Sequence, residues 1–262
     1  MSPRRTSLPV LALIASLALA VALVPDPVRA DPNALWRIVH DGCVPHFDAG
    51  KGPKPCEAID VNGGASQDVA ILKDLVGVAQ MLAIPTRRIT GIEDPQMLAP
   101  DAPPVFADGW KAKTLVEARL GGRLLPREAV ALAINSQYAR SQEQLHVHVD
   151  CVRADVVKAL ADYTPALDDQ WRAMTVALDG RKYFARRIVS DDLSSSEPLL
   201  RVLADGLKEA KDHMGAMSLG VVGAEFDGKP GFVLLADVFS LEGGGHAEDL
   251  QDHDCAIART AP

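Results

Sequence analysis

The chain has 262 residues, of which 48% are hydrophobic, and it contains no low-complexity tract. These features argue against an intrinsically disordered protein and predict one large domain, or two small ones, with a hydrophobic core. The formal net charge of −8 disfavours nucleic acid as a partner and provides no electrostatic attraction to anionic lipids.

The N-terminus has the features of an export segment. Arg4 and Arg5 precede an apolar run from Leu8 to Val24, and Val28-Arg29-Ala30 resembles a small-residue cleavage site. The run is long for a signal-peptide core and slightly short for a spanning helix, so residues 1–30 are predicted to be a signal peptide or a membrane anchor. We therefore expect the rest of the chain at the inner membrane on the periplasmic side, or secreted into the periplasm.

Four cysteines occur in this exported chain: Cys43, Cys56, Cys151 and Cys255. An oxidising compartment permits two disulfides in three possible connectivities, with buried free thiols as the alternative. The segment 44–55 is rich in glycine and proline and would be poorly ordered unless it were closed by a Cys43–Cys56 bond. A Cys151–Cys255 bond then follows by elimination.

The elements predicted after the export segment mix helices and strands without regular alternation. In chain order they are a short helix (33–39), a β-hairpin (68–85), an amphipathic helix (105–120), two strands (129–134 and 144–151), a helix (155–161), a strand (183–189), a helix running from 199 toward 214, and a second hairpin with strands 219–222 and 232–236. This pattern predicts an α+β fold with an antiparallel β-sheet and packed helices. We expect residues 31–155 to form the catalytic region and residues 156–262 an α+β region packed on it.

The strand from Gln144 to Cys151 concentrates the polar groups that could support chemistry. Alternate side chains of a strand share a face, so one face is apolar and the other polar. The polar face carries Gln144, His146, His148 and Asp150.

Three roles are open for His146 and His148. They could be hydrogen-bonded structural residues, or they could chelate zinc, although local spacing provides no third strong ligand. In the third role a neutral imidazole attacks phosphorus while its neighbours orient it.

The order of motifs around these histidines resembles the histidine-triad (HIT-like) nucleotide hydrolases and transferases over about Val69 to Cys151. Within that superfamily the chain resembles the CDP-diacylglycerol pyrophosphatase family. The segments that carry this resemblance are Ala131 to Ser136, Arg140 to Gln142, Leu145 to His148, Ile71 to Leu75, Met81 to Arg88, Tyr183 to Arg187 and Asp212 to Gly215. The resemblance implies a HIT-like fold, and leaves open whether the C-terminal half is a second, diverged HIT-like unit.

The resemblance also implies a reaction, the hydrolysis of CDP-diacylglycerol to CMP and phosphatidate. His146 falls on the nucleophile that forms a nucleotidyl-histidine intermediate, and His148 falls on the histidine that helps to orient it. Gln144 stands where the first histidine of the triad lies, and an amide there cannot carry a proton to the leaving group. No metal or cofactor is required.

Five residues are predicted to contact the substrate. Asp74 matches the carboxylate that accepts from the ribose hydroxyls, and Asn135 and Ser141 match positions that contact the phosphate. Arg87 and Arg186 are candidate cations for the second phosphate. The alternative functions are an exported hydrolase of soluble nucleoside diphosphate compounds and a non-catalytic zinc- or ligand-binding module, and the oligomeric state is not indicated.

Overall fold

The computed structural model describes residues 31–59, 68–194 and 197–259. The predicted export segment, residues 1–30, lies outside the described residues. In the part of the chain that is described, no helix is long and apolar enough to cross a membrane.

In the described residues the sheet has nine strands, and every pair of neighbours is antiparallel. In chain order the strands are β1 (Ala58–Ile59), β2 (Val69–Lys73), β3 (Met81–Pro85), β4 (Val130–Ile134), β5 (Val147–Cys151), β6 (Arg172–Ala173), β7 (Phe184–Val189), β8 (Met217–Phe226) and β9 (Lys229–Val238). Their spatial order is β1-β2-β3-β5-β4-β8-β9-β7-β6. The predicted α+β fold with an antiparallel sheet is therefore confirmed, whereas its HIT-like classification and the second diverged unit stay predictions.

Local sequence explains most of these strands. β2, β3 and β4 are short, mainly apolar runs, and the residues of β2 to β5 are almost all buried, as expected for strands covered on both faces. β8 and β9 are joined by Asp227 and Gly228, which both have positive φ angles of 53° and 73°. This is the backbone that a tight two-residue hairpin turn requires, and an Asp-Gly pair provides it.

Seven α-helices occur in the described residues. They are α1 (Ala34–Arg37), α2 (Val44–Asp48), α3 (Val105–Lys111), α4 (Lys113–Arg119), α5 (Ala154–Tyr163), α6 (Leu199–Gly206) and α7 (Lys208–His213), with a π-helical segment (Ile38–Cys43) between α1 and α2. The predicted helix 105–120 is divided at Ala112, where ψ is −7°, and the predicted helix from 199 is divided at Leu207, which is extended.

The two faces of the sheet are covered differently. One face packs on α3, α4 and α6 through the main hydrophobic core, which includes Val149 of β5. The other face has two separate apolar clusters. The N-terminal helical segments cover β2 and β3, and α5 covers β8 and β9. His148 and Asp150 alternate with the core residues of β5 and therefore lie on this second face, between the two clusters.

Both predicted disulfides are present. Cys43 is bonded to Cys56, and Cys151 is bonded to Cys255 across 104 residues of sequence. The second bond fixes the C-terminal tail to the end of β5, and the tail consequently crosses the polar part of the sheet.

Candidate active site

β5 begins at Val147 rather than at the predicted Gln144. The backbone N–H of Leu145 donates to the carbonyl oxygen of Ile89 at 2.7 Å, so this part of the chain follows the segment after β3 instead of pairing within the sheet. Pro85 ends β3 and has no N–H to continue the ladder. The histidine pair therefore spans the beginning of β5, with His146 just before the strand and His148 inside it.

His146 is held in one tautomer. Its Nδ1 lies 2.8 Å from the carbonyl oxygen of Gln144. A carbonyl oxygen only accepts, so Nδ1 carries the proton and Nε2 keeps its lone pair. Burial lowers the pKa of His146 below its ordinary value, against the opposing effect of the Gln144 carbonyl. His146 is thus a neutral imidazole at pH 7 with an unprotonated Nε2, as a nucleophile requires.

His146 borders a small, shallow depression. The lining residues are Gly91, Ile134, Asn135, Arg140, Leu145 and His146. Arg140 is buried there and donates two hydrogen bonds to Glu93, at 2.6 and 2.7 Å, and one to Glu143, at 2.9 Å. A Cβ at position 91 would overlap the guanidinium of Arg140, so the absence of a side chain at Gly91 admits the arginine.

His148 lies beside His146, with ring centroids 4.8 Å apart. Its Nδ1 is 3.0 Å from Nε2 of Gln80, 3.2 Å from Oε1 of Glu248 and 3.8 Å from Oδ2 of Asp74. Burial, followed by the proximity of His146, holds the pKa of His148 well below its usual range. Its Nε2 is buried and has no hydrogen-bond partner among the described residues.

The C-terminal tail brings two further side chains to the histidines. Glu248 accepts hydrogen bonds from Gln80 at 3.1 Å and from Asn135 at 3.0 Å, one on each carboxylate oxygen. His253 binds Asp150 through Nδ1 at 3.0 Å, and its Nε2 lies 3.5 Å from Glu248. The hydrogen bond to Asp150 raises the pKa of His253, while burial raises the pKa of Asp150.

The structure brings several predicted residues together with the histidines. Asn135 follows β4 and lines the depression beside His146, and Asp74 follows β2 and faces His148. Ser141 lies exposed on the loop directly after Arg140.

Gln144 is buried but turned away from the depression. Its amide donates to the carbonyl oxygens of Pro85 and Arg87, both at 3.0 Å. Gln144 therefore contacts His146 through the backbone carbonyl oxygen of Gln144. The side chain of Gln144 instead holds the segment after β3 in place.

The two predicted cations lie elsewhere. The guanidinium of Arg87 donates to the carbonyl oxygen of Asp101 at 2.6 Å. Arg186 belongs to β7, which is separated from β5 by three strands. Four inter-strand spacings place it roughly 19 Å from β5, and its guanidinium lies over the ring of Trp171. The structure does not bring Arg186 together with the histidine pair.

The sequence did not predict a role for Gln80, Glu248 or His253. Arg140 appeared only in the segment Arg140 to Gln142, one of those that carry the family resemblance. A signal for His253 was nevertheless present. Asp150 is next to Cys151 and His253 is close to Cys255, so the Cys151–Cys255 pairing brings this carboxylate and this imidazole together.

Asp150, Cys151 and Cys255 form a group of metal-ligand atom types in the described residues. The two sulfur atoms are bonded to each other, so neither is available as the thiolate that zinc binds. The group offers one carboxylate and does not fit a zinc centre.

Comparison with known proteins identifies related sequences. Residues 30–259 match the family described as CDP-diacylglycerol pyrophosphatase. A CDP-diacylglycerol pyrophosphatase from Yersinia pestis is 35% identical over 254 residues, which cover 96% of this chain and 95% of that protein.

Proposed function

The chain belongs to the CDP-diacylglycerol pyrophosphatase family, and from this membership we propose that it hydrolyses the pyrophosphate bond of CDP-diacylglycerol to give CMP and phosphatidate. The observation that carries the proposal is the state of His146, a neutral imidazole whose Nδ1 is bound to Gln144 and whose Nε2 is unprotonated. This atom can attack phosphorus directly.

In the first step Nε2 of His146 attacks the phosphorus of the CMP half. A P–N bond forms and the P–O bond to phosphatidate breaks, with the electron pair leaving on the phosphatidate oxygen. The leaving group is a phosphate monoester and therefore a weak base, so the reaction tolerates an amide at position 144 that donates no proton. The intermediate is a cytidylyl-histidine.

The imidazole of His146 becomes positively charged in this intermediate, because Nδ1 keeps its proton while Nε2 bonds to phosphorus. The carbonyl of Gln144 accepts from that proton, and the nearby carboxylates of Glu248 and Asp74 favour the positive charge. In the second step water attacks the phosphorus, the P–N electron pair returns to His146, and CMP is released with loss of the water proton. The site thus contributes mainly orientation and electrostatic stabilisation, as expected for phosphoryl transfer.

The neighbours of His146 support this assignment of roles. When Gln80 donates to Nδ1 of His148, the proton of His148 is on Nε2, the buried atom without a protein partner. That N–H can donate to a phosphate oxygen. Asn135 and Arg140 line the same depression, and we assign the phosphate contacts to Asn135 and Ser141 and the ribose contact to Asp74.

The decisive experiment uses CDP-diacylglycerol labelled in the cytidine. Wild-type protein quenched with alkaline denaturant, in which the P–N bond survives, should carry the label on His146, and His146→Ala should lose both the labelled protein and CMP release. His40→Ala, which changes an exposed histidine paired with Asp41, is the matched control and should retain both. Turnover that persists in His146→Ala would exclude the covalent mechanism.

A second candidate keeps the chemistry and changes the substrate to a soluble nucleoside diphosphate compound. Its support is that the depression beside His146 is small and shallow, with only Ile134 and Leu145 as large apolar side chains in its lining. The ratio of kcat/KM for CDP-diacylglycerol in mixed micelles to that for CDP-choline distinguishes the two. A ratio below one would favour the soluble substrate.

We further propose that the protein acts outside the cytoplasm and contacts the membrane through residues 1–30. Two disulfides in the described residues support an oxidising compartment, and the apolar run from Leu8 to Val24 supports an anchor. Protease treatment of spheroplasts tests the proposal. The protein should be degraded from outside and should remain with the membrane fraction unless the segment is cleaved.

A further inference from the structure

The tail from Ala247 to Cys255 is built into the polar face of the sheet. The side chain of Gln251 donates to the carbonyl oxygens of Ala131 on β4, at 2.8 Å, and of His148 on β5, at 3.2 Å. The carbonyl oxygen of His253 accepts from the N–H of Val78 in the β2–β3 connection at 2.9 Å. The tail is therefore hydrogen-bonded to three elements around the histidine pair.

Glu248 is the residue of this tail with the most contacts to the site. One carboxylate oxygen accepts from Gln80 and the other accepts from Asn135, while the backbone N–H of Glu248 donates back to Asn135 at 3.1 Å. His253 lies behind Glu248 and is itself held by the buried Asp150. The contacts thus run from Asp150 through His253 and Glu248 to the amides beside the two histidines.

We propose that Glu248 is a positioning residue of the hydrolase, which determines the tautomer of His148 through Gln80, and that His253 supports it. The proposal deepens the function assigned above, because a proton on Nε2 of His148 is what a bound phosphate needs.

The side-chain amide of Gln80 determines which ring nitrogen of His148 carries the proton. The nitrogen of Gln80 has two hydrogens, one for Glu248 at 3.1 Å and one for Nδ1 of His148 at 3.0 Å. The carboxylate only accepts, so it fixes the amide with its nitrogen toward His148. The nitrogen of Gln80, at 3.0 Å, is nearer to Nδ1 than Oε1 of Glu248 is, at 3.2 Å, so His148 accepts at Nδ1 from Gln80 and carries its proton on Nε2. Without the carboxylate the amide of Gln80 is able to reverse, and its oxygen would draw the proton of His148 to Nδ1.

The amide donors around residue 248 explain why a carboxylate is needed at this position. Its two oxygens face two amide donors, those of Gln80 and Asn135. A glutamine there would place its own NH₂ against one of these donors, whichever way it turned. Asn135 is also held by the backbone of residue 248, so Gln80 is the group that would reverse.

The groups that face His253 explain its contribution. They are Asp150 on β5, Glu248 in the tail and Asp74 after β2. These three carboxylates favour the protonated ring of His253. A positive charge on His253, 3.5 Å from Oε1, attracts the carboxylate of Glu248 and helps to hold it beside both amides.

The test compares Glu248→Gln with Asp249→Asn, which removes the same charge from the same turn but from a residue paired with Arg181. We expect Glu248→Gln to lower kcat for CMP release about ten- to hundredfold, with KM changed by less than about threefold. Asp249→Asn should behave as wild type. Thermal unfolding of both variants establishes that the fold is retained.

A spectroscopic measurement distinguishes positioning from a merely structural role. In protein labelled with ¹⁵N-histidine, His148 should be protonated on Nε2 in the wild type and on Nδ1 in Glu248→Gln. Gln80→Met, which removes the amide donor, should cause the same change and provides the second variant if Glu248→Gln does not fold. A His148 that stays protonated on Nε2 in both variants, or a Glu248→Gln with the kcat of the wild type, would overturn the proposal.

Failure of the proposed function would be recognised by a different measurement from failure of the proposal on Glu248. A wild-type protein that releases no CMP from CDP-diacylglycerol contradicts that function, whereas the tautomer of His148 is measured without any substrate. The two outcomes are therefore separable.

Discussion

The imidazole of His146 donates from Nδ1 to the carbonyl oxygen of Gln144 across 2.8 Å, so a backbone atom, and not a side chain, orients the proposed nucleophile. The amide of Gln144 meanwhile binds the carbonyl oxygens of Pro85 and Arg87. Gln144 thus orients His146 through its backbone and fixes the segment after β3 through its side chain.

The pH dependence of CMP release follows from the state of His146. Burial lowers the pKa of His146, so its neutral form persists as the pH falls below 6.5, the ordinary value for histidine. Burial and the proximity of His146 also hold the pKa of His148 well below its ordinary value. We expect the acidic limb of kcat/KM to have its midpoint below 6.5. Circular dichroism over the same range checks that the protein remains folded, and a midpoint at or above the ordinary value would contradict the assignment.

Loss of the Gln144 side chain should destabilise the protein. Gln144→Ala removes the donor from two carbonyl oxygens, and each buried unsatisfied group costs about 1–3 kcal/mol. The free energy of unfolding should therefore fall by about 2–6 kcal/mol, measured by urea denaturation. Gln170→Ala removes an amide of the exposed surface and is the matched control. Equal stabilities of the two variants would show that the Gln144 contacts are not important for stability.

Much of the fold is encoded locally, which is why it was predictable from sequence. The hairpin β2–β3 and the strand β4 are short apolar runs between turn signals, and the Asp227-Gly228 turn joins β8 and β9 as expected. The helix breaks at Ala112 and Leu207 were not predicted, because the apolar periodicity continues through both positions while the packing does not.

The site was predictable only in the part that lies on contiguous motifs. His146, His148, Asn135 and Asp74 belong to strands or strand ends that the patterns identified. Glu248 and His253 belong to a polar tail without periodicity, and the sequence signal that links this tail to β5 is the pairing of Cys151 with Cys255. A contact that depends on chain topology leaves no local signal in the sequence.

Two arginine variants test which of these cations contributes to CMP release. Arg140→Ala removes a guanidinium that lines the depression and leaves Glu93 and Glu143 without their partner. We expect CMP release to fall at least about tenfold, since a charged hydrogen bond contributes about 1.5–3 kcal/mol. Arg186→Ala changes a cation on β7, far from the histidines, and should stay within about twofold of wild type. A larger loss in Arg186→Ala than in Arg140→Ala would instead favour a substrate that extends across the sheet.

The contact between His253 and Asp150 should stabilise the fold in a defined pH range. Hydrogen bonding to Asp150 raises the pKa of His253 above 6.5. A raised pKa means that its contribution is fully present below the unfolded-state value and is lost as the pH rises through the folded-state value. The stability difference between wild type and His253→Ala should therefore be larger at about pH 6 than at about pH 9, as measured by urea denaturation at both values. A difference that grows with rising pH would contradict the assignment.

Activity should depend on one disulfide more than on the other. The Cys151–Cys255 bond holds the tail that carries Glu248 and His253, whereas the Cys43–Cys56 bond closes a segment of the N-terminal helices. The double variant Cys151→Ser/Cys255→Ser should lose CMP release at a temperature at which it is still folded by circular dichroism. It should also lose more stability than Cys43→Ser/Cys56→Ser, since its bond closes the longer loop. The matched variant Cys43→Ser/Cys56→Ser should keep its activity when folded, because neither cysteine contacts the histidine site. A folded Cys151→Ser/Cys255→Ser protein with wild-type turnover would show that the tail is held in place by its hydrogen bonds alone.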